Sequence, residues 1–337
     1  MSYRNAPAQH EPLLFSHQTA LQLVRSYRIP ADKMRPNARP PLPKSIPSDR
    51  ELRALLAQLG LPAPVAPAHL MSAAGKRRRT SRVCTPHVCS AAPDKRFAIR
   101  LAERAYAYSP DHALAQIAAS EPSPIEILLY LWEACGTYGT PRTALQRAYN
   151  IDPLTSRRSL ASFVSNNPSV AGARKLERAL RYLANRSASP RETHLALLLG
   201  LPLMYGGYGL GIPQMNYAVM ASPRAHAVSG KSFFKCDLCW PEAKIDVEYQ
   251  SSEEHSGEQR RICDSRRANA LATMGWTVIG VTGSEILGVA STNTIADTVR
   301  KRLGKKPRPL PHDYVERQLL LRKQLGVTMG DWGSARL

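Results

Sequence analysis

Phe233–Gln250 reads FFKCDLCWPEAKIDVEYQ, two runs of alternating polarity joined by Pro241, Glu242 and Ala243. In the first run Phe234, Cys236, Leu238 and Trp240 fall on one side and Lys235 and Asp237 on the other. In the second, Ile245, Val247 and Tyr249 make the apolar side and Asp246, Glu248 and Gln250 the polar side. The spacing predicts a β-hairpin. With Trp240 opposite Ile245, the register sets Asp237 opposite Glu248, and directly opposed side chains on one face lie roughly 5 Å apart. Two carboxylates that close repel unless neutralised. A hard divalent cation with oxygen ligands, Mg²⁺ or Mn²⁺, is the usual solution. Such an ion activates a bound water and neutralises charge developing on a phosphodiester. An exposed sheet face with acids on alternate positions is the plainer alternative.

Outward from the hairpin, Ser256 to Met274 has helical spacing at Cys263, Arg267, Ala270, Leu271 and Met274, with Gly275 as its stop and Arg260, Arg261, Arg266 and Arg267 as its charges. A buried strand, Trp276 to Val281, follows. A last helix runs from about Asn293 to Leu303.

At this point the chain resembles the PD-(D/E)XK nuclease superfamily, and within it the small endonuclease domains similar to very-short-patch-repair enzymes. The likeness covers about Ser189 to Leu303. In that family a helix carrying a Glu precedes a strand with a metal-binding Asp, a strand with Glu-x-Lys or a variant, a His, and an Asp-x-x-Arg helix. By position, Glu192 resembles the helix Glu, Asp237 the metal-binding Asp and Glu248 the second acid, while His255, Asp264 and Arg267 follow in order. Gln250 stands where the Lys is usual. That Lys orients water or stabilises the transition state, work generally worth about 10² to 10⁴ in rate. The glutamine amide can hold a water but carries no charge.

The resemblance implies an α/β fold, with a restriction-endonuclease-like core of mixed sheet flanked by helices over 186–305. It implies that Asp237, Glu248 and Glu192 hold Mg²⁺ or Mn²⁺, that Gln250 orients water and that His255 and Arg267 handle the phosphate. Several of these residues have ordinary readings too. Glu192 completes a capping box in Ser189-Pro190-Arg191-Glu192. His255 fits a solvated Ser/Glu-rich turn. Asp264 and Arg267, three apart on a helix, suit a surface ion pair.

Charge points to a nucleic-acid partner, here DNA: 46 Lys plus Arg against 26 Asp plus Glu give a formal +20 and a pI near 10.0. Aromatic content of 7% argues against a stacking platform for single strands. The cluster Lys76, Arg77, Arg78 and Arg79, with Arg260 and Arg261, offers phosphate contacts. A homodimer stays open, and no small-molecule cofactor is expected. Leu195 to Leu203 is too short for a membrane span. With no charged-then-apolar leader pattern at the start, the expected compartment is the cytoplasm.

Cys236-x-x-Cys239 looks like half a zinc site, but strand residues three apart face opposite sides. Cys84 and Cys89 with His87 form a second half-site without a partner pair. Residues 1–185 read as a basic, mainly helical region. It has a helix from Phe15 to Tyr27, a Pro-rich connector, and a capped helix opened by Ser48-Asp49-Arg50-Glu51 and stopped by Gly60. Strand-like pieces near Arg82 to Cys89 and Phe97 to Leu101 precede helices at Asp111–Ala118, Pro124–Cys135 and Ser169–Asn185. This region weakly resembles the abortive-infection AbiEi-type antitoxin and regulator family, which implies DNA binding. A catalytically inactive, nuclease-fold regulator is therefore the competing expectation, favoured by Gln250. Leu201 to Ser232, rich in glycine, reads as an irregular connection. In the tail over 306–337 a helix from His312 to Leu325 is expected to dock through Val315, Leu319 and Leu320.

Overall fold

The computed structural model describes residues 11–27, 36–73, 80–89, 97–250 and 258–328; the side chains of 258–261 lie outside that description. The chain is α/β and divides into two compact units. The first comprises Met1–Ala134 and Tyr138–Leu180, the second Cys135–Thr137 and Arg181–Leu337.

In the first unit the order is β1 (Leu13–Phe15), α1 (His17–Ser26), α2 (Asp49–Gln58), β2 (Ala68–Ala73), β3 (Cys84–Cys89), β4 (Ala98–Ala102), β5 (Ala105–Tyr108), α3 (Pro110–Ser120) and α4 (Pro124–Ala134). A two-residue ladder, β6 (Tyr138–Gly139) with β7 (Ala148–Tyr149), precedes α5 (Arg157–Asn166) and α6 (Ala173–Ala179). The expectation of a mainly helical region is corrected by a five-stranded sheet, β3-β2-β1-β5-β4. Its central strand, Leu13-Leu14-Phe15, is wholly buried and only three residues long, too short to show a period. The local signals were sound elsewhere. Ser48 and Glu51 form the capping box of α2, and α6 turns Ala173 and Leu176 inward and Arg174, Lys175 and Arg178 outward.

The second unit holds α7 (Pro190–Gly200), β8 (Gln214–Met220), α8 (Pro223–Ser229), β9 (Phe233–Trp240), β10 (Ile245–Gln250), α9 (Glu258–Thr273), β11 (Thr277–Thr282), α10 (Gly283–Leu287), α11 (Val289–Arg302) and α12 (Tyr314–Gln324). Its sheet is ordered β11-β10-β9-β8, antiparallel across β8-β9-β10 and parallel from β10 to β11. The parallel step needs a crossover, and α9 supplies it. The ladder is Trp240 to Ile245, Cys239 to Asp246 and Leu238 to Val247, the register expected for the hairpin. β8 corrects the reading of Leu201–Ser232 as irregular. Met215 and Val219 are buried at period two, a signal masked by the glycines before them.

Two faces were misassigned. On α9, Cys263 is exposed and the inner stripe begins at Arg267. On α12, Val315, Leu319 and Leu320 are exposed, and the docked face is Tyr314, Gln318, Leu321 and Arg322. Arg322, 1% exposed, donates to the carbonyls of Ile286 at 2.9 Å and Leu287 at 3.3 Å and to Thr292 Oγ1. It thereby satisfies carbonyls at the end of α10 that the helix itself leaves open. Arg322→Ala, which strands these acceptors and empties the space of a large buried side chain, is expected to cost about 3 kcal/mol in urea denaturation.

Candidate acidic site on the second sheet

The hairpin and α9 build this site together. Ala270 and Leu271 pack with Phe234, Cys236 and Val219, which fixes the helix over the sheet and carries Arg267 to the acids of β10. The Arg267 guanidinium meets Asp246 Oδ2 at 3.3 Å, pairs with Glu248 Oε1, and donates to the Lys235 carbonyl at 2.6 Å. Asp246 is fully buried and its Oδ1 has no hydrogen-bond partner.

Asp237 lies within electrostatic reach of Glu192 and Asp246, and its Oδ2 accepts the Tyr249 backbone N–H at 3.2 Å. Burial first, then these two acids, lift its carboxyl from 3.8 to about 7. Asp246 is also held above its ordinary value by burial, against the pull of Arg267. Glu192 is raised by burial, although it receives the Ala188 N–H, the Ser189 hydroxyl and the Asn216 amide, each at 3.0 Å. Those donors hold Glu192 at the start of α7, where Ser189 caps the helix in return. Only half of the expected capping box forms: Ser189 caps the Glu192 N–H, but the Glu192 carboxylate takes the Ala188 N–H in place of the Ser189 N–H, while Asn216 links it to β8.

Asp237, Glu248, Glu192 and Arg267 thus belong to one neighbourhood, with Glu248 turned to Arg267. Asp264 stands apart, exposed on α9, and the acids paired with Arg267 are Asp246 and Glu248. Gln250 is exposed at the end of β10, its amide against Gly280 of β11. His255 and the cluster Lys76, Arg77, Arg78 and Arg79 fall outside the described residues. Arg260 and Arg261 lie on α9, with side chains outside the description.

Asp246 is the member that sequence reasoning left out. It shares a strand face with Glu248, and only the arrival of Arg267 marks it. The two cysteines also differ from expectation. Cys236 and Cys239 are both fully buried in one cluster, and the contact with Cys239, then burial, then Asp246, push the Cys236 thiol up.

Oxygen donors of this kind suit a hard cation, which binds through one or two carboxylates while keeping several waters. Asp246 Oδ1 without a partner, beside a carboxyl raised by neighbouring acids, is the electrostatic setting such a cation relieves.

No family model matches the chain, and no solved structure matches it. Two curated proteins of Mycobacterium tuberculosis are similar over part of it. They are the uncharacterized protein MT2308 of strain CDC 1551 / Oshkosh and the uncharacterized protein Rv2248 of strain ATCC 25618 / H37Rv, each 25% identical over 117 residues. The match covers 35% of this chain and spans just over a third, 37%, of each relative. Among the described residues no helix is long and apolar enough to cross a membrane.

Proposed function

We propose that the second unit is a metal-dependent DNA endonuclease of PD-(D/E)XK type. One observation carries the reading: acids from α7, β9 and β10 gather in the order helix, strand, strand, and Arg267 on the following helix reaches the same point. Asp237 and Glu248 would hold Mg²⁺ or Mn²⁺, with Asp246 behind them. The ion supplies an activated water and charge neutralisation at the phosphate. Arg267 brings the positive charge that Gln250 lacks, from a different element, and its planar donor fork suits a phosphate oxygen pair. Gln250 orients the attacking water through its amide.

Gly280 tests that role of Gln250. A Cβ there would lie 2.6 Å from the Gln250 amide nitrogen, and that nitrogen is the movable end of a side chain. Gly280→Ala should therefore change stability by less than about 0.5 kcal/mol, since a surface amide can shift at little cost. It should slow cleavage roughly tenfold, less than the about 10² to 10⁴ that a positioned acid-base group contributes, because the amide is displaced and not removed. Unchanged cleavage in this variant removes Gln250 from the mechanism.

A second reading, a DNA-binding regulator that has lost cleavage, is favoured by the pairing of Glu248 with Arg267 and by the uncharged Gln250. Supercoiled plasmid incubated with the protein in Mg²⁺, Mn²⁺ or EDTA separates the two. Metal-dependent nicking that disappears in Asp237→Ala while DNA affinity persists supports the nuclease. Metal-independent, steeply salt-sensitive binding without cleavage supports the regulator.

A further inference from the structure

The first unit contains a second cluster of ligand-type side chains, unrelated to the acids. His17 opens α1, and His69 and His87 project from the parallel strands β2 and β3. The register pairs His69 with Thr85 and Met71 with His87, so the two strand histidines are diagonal neighbours on one face. His69 Nδ1 lies 2.8 Å from His87 Nε2, and the His17 ring stacks on His87 with centroids 3.7 Å apart. One ring nitrogen from each histidine falls within 4.8 Å of the others; among the described residues this is the group of His, Cys, Asp or Glu so arranged.

His17 is 8% exposed and the other two are half-buried. Its backbone sits at φ 50°, in the left-handed region that few non-glycine residues occupy.

We propose that His17, His69 and His87 form a three-histidine site for a borderline divalent transition-metal ion, Zn²⁺ in the first instance, with a fourth position open to water. Imidazole nitrogens suit such ions and not Mg²⁺, and three histidines with one open position is an established zinc arrangement. The half-exposed edge formed by His69 and His87 gives that water access. An ion there joins the start of α1 to β2 and β3, so it also stabilises the folded first unit by mass action. The site is independent of the nuclease reading, since none of its residues belongs to the acidic cluster.

Cobalt reports on the ligands. Full-length protein stripped of metal and titrated with Co²⁺ should develop the visible d–d absorption of four-coordinate cobalt. The signal should saturate at one equivalent and be lost on adding Zn²⁺. Outer partners of a metal site usually change affinity by about 10- to 100-fold, so removing a ligand in His69→Ala or His87→Ala should cost at least about 100-fold. His87→Gln, which keeps most of the ring's volume, should lose the spectrum while retaining the wild-type circular dichroism. Three results would each overturn the proposal: no four-coordinate spectrum in the wild type, a spectrum unchanged in the His69 and His87 variants, or thiolate-to-cobalt charge transfer. The last would put a cysteine, such as Cys89 on the same strand, in the ligand set.

Discussion

Asp237→Asn is expected to abolish metal-dependent cleavage and to remove a pH dependence from the stability of the metal-free protein. Changes to groups that merely support metal ligands already cost about 10- to 100-fold, so loss of a ligand charge should cost more. The stability effect follows from the carboxyl, held near 7 in the folded chain against an ordinary 3.8. Between those values the folded state binds more proton than the unfolded state, so stability falls as pH rises from about 4 to about 7 and stays low above that. The full difference is worth up to about 4 kcal/mol by linkage. In EDTA, Asp237→Asn should be more stable than the wild type at pH 8 and nearly equal to it at pH 4, because the amide keeps the Tyr249 hydrogen bond without a charge. Mg²⁺ should restore the wild type at pH 8 and leave the variant unmoved. Urea denaturation at the two pH values, with and without Mg²⁺, measures all four quantities, and a wild-type slope retained in the variant would sink the assignment.

Arg267→Ala is expected to destabilise the second unit by about 3 to 5 kcal/mol, because it leaves Asp246 fully buried and Glu248 largely buried without a counter-charge. Replacing the whole group at once, Arg267→Met with Asp246→Asn and Glu248→Gln, should recover most of that loss, since removing every member of a buried ion network is often close to neutral. Chemical denaturation of the two variants decides the matter: a single variant within about 1 kcal/mol of the wild type would demote the pairing to a surface contact. Because Arg267 also serves the proposed chemistry, the triple variant should fold and remain inactive.

The hairpin was legible because strand alternation is a local property: Trp240 opposite Ile245 needed only the two runs and their turn. The position of Asp237 came with it. The distinction between Asp246 and Glu248 was not local, since the two look alike along β10 and differ only in how Arg267 arrives from a helix that begins at Glu258. The face of α12 failed for the same reason. An apolar stripe through Val315 and Leu319 looked like the inner side, yet the carbonyls of Ile286 and Leu287 draw Arg322 inward instead. The histidine cluster carried no spacing signature either, because His17, His69 and His87 come from three elements and meet only once β2 and β3 lie side by side. β8 is the different case, a readable alternation obscured by the glycines that precede it.

The division of the chain has a practical bearing on modularity. Cys135–Thr137 belongs to the second unit although the chain then returns to the first until Leu180. Within the second unit the Thr137 amide donates to the Ser187 carbonyl at 2.8 Å, and the Arg186 amide donates to the Cys135 carbonyl at 2.9 Å. No single cleavage point therefore yields both units whole: a fragment beginning at Arg181 forfeits a short strip of its own backbone pairing. A segment that is to carry the second unit whole therefore has to include Cys135–Thr137 as well as the residues from Arg181 onward.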